Sequence, residues 1–346
     1  MYKSAFNFHD LVGFELYTDD AVALDFFEQE YAHTHRGCSS GMKIVRLHWY
    51  RGAYSKGTAQ RMIAHSHKAL ARWKYAITVE EELIDIVASG NRFALPMIHH
   101  VMVQPSLRFL VSMNQTILLH GAALATDTCS FVFSGPGGMG KTTLSSVLLA
   151  ERGDVWKLHA DDYVFLRSDG YSFAHLTRPH LYRDLLRCLP EMRTLLTLSE
   201  KLRIEILGRI RAYSHERLKW PVRISHERLW QGYGTTQKAI LGGLCILSRG
   251  DGSEPVMKQI EPMSKDIQSL LDMNFYEAGH YTALLSKAMG SSFTNDLVHA
   301  WRKREEDVLY QLQETSPFFM LQLPDLITNA KGIGDIVTGI LLDGEE

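Results

Sequence analysis

Cysteine is scarce in this chain, and what there is lies far apart. Cys38, Cys129, Cys188 and Cys245 are the four cysteines among 346 residues, and no two form a C-x-x-C pair. That dispersal excludes a disulfide framework or a zinc ribbon and points to reduced thiols in a cytoplasmic protein. An excess of one charge is also lacking. The formal net charge is −2, which gives no general reason to expect nucleic acid or a membrane as partner. No apolar run approaches the length that spans a bilayer. The first residues, Met1-Tyr2-Lys3-Ser4-Ala5-Phe6, lack a signal-type apolar region, and acidic residues follow soon after. Internal repeats and low-complexity segments are absent. What is present is an ordinary globular composition, 45% hydrophobic and 22% charged, long enough for two domains or one large α/β domain.

Histidine, by contrast, is plentiful at sixteen, with clusters at His33/His35, His65/His67 and His99/His100. A metal site needs a third ligand at convincing spacing, and the sequence offers none, so surface or core histidines are the preferred reading.

Residues 1 to about 112 read as a separate α+β region. Leu24, Phe27 and Tyr31 share one face at helical spacing, whereas Val45, Leu47 and Trp49 alternate at the strand period within Lys43–Tyr50. Val79–Ala88 fits helix or strand, and Pro105 is placed to open a helix through Val111. A second region starts with the apolar strand Thr116–Leu124. After a turn at Thr126-Asp127-Thr128 comes another buried strand, Ser130–Ser134.

The next residues carry the chemistry. Gly135-Pro136-Gly137-Gly138-Met139-Gly140-Lys141-Thr142 spells G-x-x-x-x-G-K-[ST], the phosphate-binding loop. By composition such a string occurs by chance in roughly one chain in a hundred of this length. Glycines let the backbone curl and turn successive N–H groups towards phosphate oxygens. Lys141 reaches the β/γ-phosphates and the Thr142 hydroxyl sits on Mg²⁺. Gly135, Gly137, Gly138, Met139, Gly140, Lys141, Thr142 and Thr143 are therefore the candidate ATP contacts. The following helix, Lys141–Glu151, aims its N-terminus at the same place, with Leu144, Val147 and Leu148 on its apolar face.

About twenty residues later Asp161-Asp162 precedes the apolar run Tyr163–Leu166. Adjacent carboxylates beside a metal phosphate divide the work, one holding Mg²⁺ while the other takes a proton from an attacking hydroxyl. The bland alternative is a turn that starts a strand. His120, at the end of its strand, either orients a phosphate or an acid there or is a satisfied core histidine. Ser168-Asp169-Gly170 turns the chain into Tyr171-Ser172-Phe173. From Arg178 to Arg228 the composition shifts to twelve Lys/Arg against six Asp/Glu. Leu181, Leu185, Leu186 and Leu189, and later Leu202, Ile206 and Ile210, recur there at helical spacing. This basic helical insert, 178–230, is either a solvated face or a lid that meets phosphates or an acidic substrate, with Arg178, His180 and Arg183 as weak substrate contacts. Beyond it lie the strand Ala239–Ser248, helices at Ser264–Met273 and Glu277–Ala288, a last strand Phe318–Leu323 and a terminal helix within Ile327–Leu342.

Taken in order, His120-Gly121-Ala122, the glycine loop, Arg152-Gly153 and Ala160-Asp161-Asp162-Tyr163-Val164 resemble the HPr serine kinase-like family. Gly140-Lys141-Thr142-Thr143-Leu144-Ser145 is also similar to ATP-dependent phosphoenolpyruvate carboxykinase. The likeness covers residues 115 to 170 well and 235 to 330 loosely. It implies an α/β fold at 113–346, a phosphate-loop nucleotide core with mixed strands unlike a Rossmann sheet, joined to the N-terminal α+β domain at 1–112. It further implies Mg-ATP and transfer of the γ-phosphate to a hydroxyl. By position Asp161 is similar to the family's proton acceptor and Asp162 to its metal ligand. The later Glu-Val-Arg-Gly-type signature of the true HPr kinases is missing, and the basic segment occupies its place. Relatives that phosphorylate a Ser on a precursor peptide are an equally good model.

The expectation is a cytoplasmic kinase acting on a hydroxyl of a peptide, protein or small metabolite, with Asp161, Lys141 and His120 catalytic and Thr142 and Asp162 on the metal. The alternative is a phosphate-loop ATPase or nucleotide-binding regulatory protein without an acceptor. A carboxykinase-like lyase fits less well, because the chain is far shorter than that class. Neither nucleic acid nor membrane is expected as a partner, and the oligomeric state, a homo-oligomer included, stays open.

Overall fold

The computed structural model describes residues 1–52, 64–68, 70–214, 222–250, 252, 254–324 and 332–343. It is a mixed α/β structure with several sheets, divided into two compact units. One comprises Met1–Leu118, Leu166–Asp169 and Met263–Leu312. The other comprises Leu119–Phe165, Gly170–Pro262 and Gln313–Glu346. Residues 263–312 group with the N-terminal residues in this division.

The first unit is built on strands β1 (Tyr2–Phe8), β2 (Val12–Thr18), β3 (His35–Arg36), β4 (Ile44–Arg51), β5 (Ala64–Lys68), β6 (Ala71–Val79) and β7 (Leu83–Gly90). They form one mixed sheet in the order β3-β1-β2-β4-β7-β6-β5. Val45, Leu47 and Trp49 of β4 are buried, as their alternation requires. Val79–Ala88 is the end of β6, a turn and most of β7. Ile86, Val87 and Ala88 are buried in succession, so the period-2 signal that marks a half-buried strand is lost there.

Helix α1 (Ala21–Glu30) starts at Asp20, whose carboxylate accepts the Val22 N–H at 3.0 Å. Pro105 stands in the first turn of its helix, as expected, but that helix continues an earlier one. The helical run begins with α2 (Ala94–Ile98), widens through a π turn at His99–Val103 and continues as α3 (Gln104–Ser112). The change of hydrogen-bond register in the π turn accommodates a proline that lacks an N–H. Residues 264–289 form one helix, α8 (Ser264–Met289), where two had been expected, and α9 (Ser291–Thr315) follows. His99 lies in the core with its Nε2 2.8 Å from the Tyr31 hydroxyl, whereas His65 and His67 are exposed on β5.

The second unit surrounds strands β8 (Thr116–Ala125), β9 (Cys129–Ser134), β10 (Lys157–Ala160), β11 (Tyr163–Arg167) and β12 (Tyr171–Phe173). Into the same sheet come β15 (Lys238–Arg249), β16 (Val256–Ile260) and β17 (Phe318–Leu323). The order is β10-β8-β11-β12-β15-β17-β16, and β9 pairs antiparallel with β8 and parallel with β15. Helix α4 (Lys141–Arg152) follows β9, and its buried face holds Leu144, Val147 and Leu148. Alongside α4 packs α10 (Ile333–Asp343). Glu151 accepts the Gly332 and Gly334 N–H groups at 2.8 and 2.7 Å, and the Trp156 indole donates to Thr338 at 2.7 Å.

The basic segment is not helical throughout. It holds a two-stranded ladder, β13 (His180–Leu181) with β14 (Val222–Arg223), and the helices α5 (Leu185–Cys188), α6 (Leu198–Tyr213) and α7 (His226–Leu229). Leu181, Leu185, Leu186 and Leu189 are buried as expected. On α6 the outcome is reversed: Ile204 is buried, while Leu202 and Ile206 are exposed. Helical spacing identifies a face but not whether anything covers it.

One polar cluster dominates the interior of the first unit. Arg108 and Glu305, 3% and 0% exposed, form a two-pronged pair, with Arg108 Nε 2.7 Å from Glu305 Oε1. The guanidinium lies 4.5 Å from the Phe275 ring centroid and 4.7 Å from that of Trp301, whose indole donates to Glu305 at 2.8 Å. Asn274 bridges Glu305 and the Leu118 carbonyl, each at 3.3 Å. Removing one partner leaves an uncompensated buried charge. Glu305→Ala should therefore cost about 3–5 kcal/mol in urea unfolding followed by tryptophan fluorescence. A loss below about 1 kcal/mol would mean that the pair is hydrated in solution.

Candidate functional site

The glycine loop leaves β9 at Ser134 and ends where α4 begins. Gly138 and Gly140 have φ of +88° and +94°, the left-handed region that side chains with a Cβ rarely enter. Gly140 is also the N-cap of α4, so the first-turn N–H groups of the helix face the loop. Met139 packs against the apolar core under the loop. The buried Lys141 side chain crosses back, its ammonium donating to the Gly135 carbonyl at 2.7 Å and towards that of Pro136 at 3.4 Å. Arg249, at the end of β15, donates to the Gly138 carbonyl at 3.3 Å. The parallel pairing of β9 with β15 brings the ends of both strands to the same edge, which is why a residue so distant in sequence arrives here.

Asp161 and Asp162 occupy the bend between β10 and β11. The β10–β8 ladder shifts register between Leu158 and Ala160, and such a bulge re-aims the side chains that follow it. The Gly121 N–H donates to the Asp162 carbonyl at 3.0 Å and fixes the bend against β8. Asp161 is buried, 7% exposed, with the Thr142 hydroxyl and the His180 N–H close enough to favour the charged form of its carboxyl. Asp162 is more open, with 29% of its side chain exposed. Burial, followed by the negative charge of Asp162, pushes the Asp161 carboxyl up to about 7, against the opposing pull of those two groups.

His120 lies beside this pair, its Nδ1 4.0 Å from Asp162 Oδ1 and its ring edge-on to Tyr163 at 5.3 Å between centroids. The neighbouring His159 is a satisfied core residue, 2.7 Å from the Thr236 carbonyl and 2.9 Å from the Ser172 hydroxyl. Of the candidate substrate contacts, His180 meets Asp161 through its backbone. Arg183 pairs with Glu205 at 3.3 Å, and Arg178 stands half-buried two residues before β13.

Tyr182, Arg211, Arg223 and Arg249 were not singled out from sequence. The Tyr182 phenol is pushed up by burial and by the charge of Asp162, with Arg211 and Arg223 acting against the rise and Asp161 adding to it. Arg223 faces His180 across the β13–β14 ladder. The basic excess of 178–228 was the one available signal, and it could not say which arginines turn inward.

Among the described residues no three His, Cys, Asp or Glu side chains cluster as a cage for a metal ion. A threonine hydroxyl next to two carboxyls instead suits an ion of the Mg²⁺ type, which takes most of its ligands from phosphate oxygens and water. The arrangement can hold an anion at the α4 terminus and offers a carboxyl that exchanges its proton near neutrality.

Comparison with known proteins adds a structural neighbour of low similarity. No family model matches the chain, and no curated protein matches it. Among solved structures, the HPr(Ser) kinase/phosphatase from Coxiella burnetii is similar over 48% of this chain and 95% of its own, with 14% identity and a TM-score of 0.25. So loose a superposition leaves the chemistry to be argued from this chain's own residues. Among the described residues no helix is long and apolar enough to cross a membrane.

The raised Asp161 carboxyl has a consequence for stability. The unfolded chain releases this proton near the ordinary 3.8, the folded chain only near 7. Between those values the folded state binds more protons, so this group lowers stability as pH rises. Asp161→Asn, which has no charge to bury, should unfold at a temperature higher by roughly 5 °C at pH 8. The gap should narrow as the pH is lowered to 5. Differential scanning calorimetry checks this, and a gap independent of pH would place the Asp161 carboxyl at an ordinary value.

Proposed function

We propose that the second unit is an ATP-dependent phosphotransferase that moves a γ-phosphoryl group to the hydroxyl of a peptide, protein or small metabolite. The observation that carries this reading is the Asp161 carboxyl, buried against Thr142 directly after the loop lysine and titrating near 7. A general base works best with such a value, and an ATPase that only orients water has no need of so buried an acid.

In this reading the loop N–H groups from Gly135 to Thr143, with Lys141, bind the phosphates, and Arg249 closes the outer side of the loop. Thr142 and Asp162 would hold Mg²⁺, which would supply charge neutralisation for the phosphates. The acceptor hydroxyl oxygen forms a bond to the γ-phosphorus while the bond from that phosphorus to the β,γ-bridging oxygen breaks. The bridging oxygen leaves with the electron pair as part of ADP, and the hydroxyl proton passes to Asp161. His120, beside Asp162, keeps that carboxylate oriented. Positioning and electrostatics provide most of the acceleration in such transfers, so this short set of groups suffices.

Incubation with Mg-ATP, with and without candidate hydroxyl compounds, tests the proposal when phosphate is followed by mass spectrometry. Slow release of free phosphate that no acceptor alters would favour an ATPase or a nucleotide-binding regulator instead. Asp161→Asn should lower transfer by roughly 10²–10⁴-fold yet leave ATP binding nearly intact, whereas Lys141→Ala should weaken both. Because the base must be ionised, kcat/KM should fall as pH drops below about 7. Full activity in Asp161→Asn would remove Asp161 from the role of base.

A further inference from the structure

A cavity of 190 Å³ opens in the basic segment, between the stretch that follows His180 and the inner face of α6. Tyr182, Arg183, Asp184 and Arg187 line one side, and Gly208 and Arg211 line the other. The arginines outnumber their acids. Asp184 is shared by Arg211 at 3.3 Å and Arg187 at 3.7 Å, while Glu205 is shared by Arg183 at 3.3 Å and Arg193 at 3.8 Å. Among the described residues that line the cavity, three arginines stand with one acid, Asp184. Gly208 makes room for them: a Cβ there would come within 2.9 Å of Arg183 Cδ.

The cavity is tied to the reactive carboxyl by a short piece of strand. The His180 N–H acts on Asp161, and Tyr182, two residues on, forms part of the cavity wall. Two residues of strand span about 7 Å. The phenol of Tyr182 feels the charges of Asp161, Asp162 and Arg211 together, in keeping with that short separation. A cavity of about 150 Å³ accommodates a benzene-sized molecule, so this one suits a compound or side-chain segment of similar size.

We propose that this cavity holds the phosphoryl acceptor, and that the acceptor carries a carboxylate a few atoms from its hydroxyl. The inference rests on the phosphotransferase reading of the same unit. The carboxylate meets the excess guanidinium groups of Arg183, Arg187 and Arg211, whose planar forks match its geometry. The hydroxyl then points along β13 towards Asp161. Its oxygen bonds to the γ-phosphorus, ADP departs with the bridging oxygen, and the proton goes to Asp161. The carboxylate belongs either to a free hydroxy acid or to an acidic residue beside a serine in a peptide.

Binding to the full chain tests this with matched probes, 4-hydroxybutyrate against 1,4-butanediol, by ligand-observed NMR at several salt concentrations. The acid should bind at least about tenfold more tightly than the diol, and added salt should reduce the difference. Arg211→Gln and the half-exposed Arg187→Gln should each lower that preference, and Arg187→Lys should keep part of it. Equal binding of acid and diol, no saturable binding of the acid, or an unchanged preference in both glutamine variants would overturn the assignment. A short peptide with Ser-Glu that outcompetes the acid identifies a peptide source; one that fails to compete with the bound acid identifies a free hydroxy acid. ATP binding to the wild type is measured in parallel. ATP bound with the acid ignored overturns the cavity assignment alone. Acid bound with ATP ignored overturns the phosphotransferase reading and leaves an anion pocket.

Discussion

The Asp161 carboxyl is buried close to the Thr142 hydroxyl, and the site in the second unit depends on that proximity. It brings the first turn of α4 to the bend between β10 and β11, so the glycine loop and the carboxylate pair form one constellation. The His180 N–H acts on the same carboxyl and brings the basic segment into register with both. Together these neighbours favour the charged form without neutralising it. Burial and the neighbouring Asp162 resist ionisation, two donors favour it, and the outcome is a carboxyl that titrates near neutrality. Stability is lost at that point, a cost of the kind that clusters at functional sites.

The first unit handles a buried charge differently. Arg108 and Glu305 are paired in two-pronged fashion, flanked by Phe275 and Trp301 and closed by Asn274. The guanidinium and the carboxylate are paired and flanked on every described side, and the result is rigid structure. The two units show how the same class of interaction serves either packing or chemistry, according to whether a cation fully compensates the carboxylate.

Much of the architecture could be read locally. The alternation of β4, the apolar face of α4 and the order strand, glycine loop, helix are properties of short segments, and the structure contains all three. Misreadings arose where a buried polar residue interrupts the period. Asn274 faces the core of the first unit because Glu305 requires a partner there. It therefore looked like the gap between two helices when it lies inside α8. Glu305 and Thr294 are likewise buried on α9, and they concealed a helix of 25 residues. On α6 the error was of the opposite kind, since Leu202 and Ile206 carry a clear helical stripe and nevertheless face outward.

The sequence by itself determined the glycine loop and the residues that flank it. Gly138 and Gly140 must adopt left-handed backbone, Lys141 follows immediately, and Asp161-Asp162 stand on a short tether to a neighbouring strand. Each of these is a matter of covalent geometry or nearest neighbours along the chain. Only the tertiary structure decided which carboxyl is buried and which arginines serve the site. Parallel pairing of β9 and β15 delivers Arg249 to the loop, and the β13–β14 ladder sets Arg223 opposite His180. Desolvation and Coulomb interaction depend on distances through space, and no spacing along a chain encodes those before it folds.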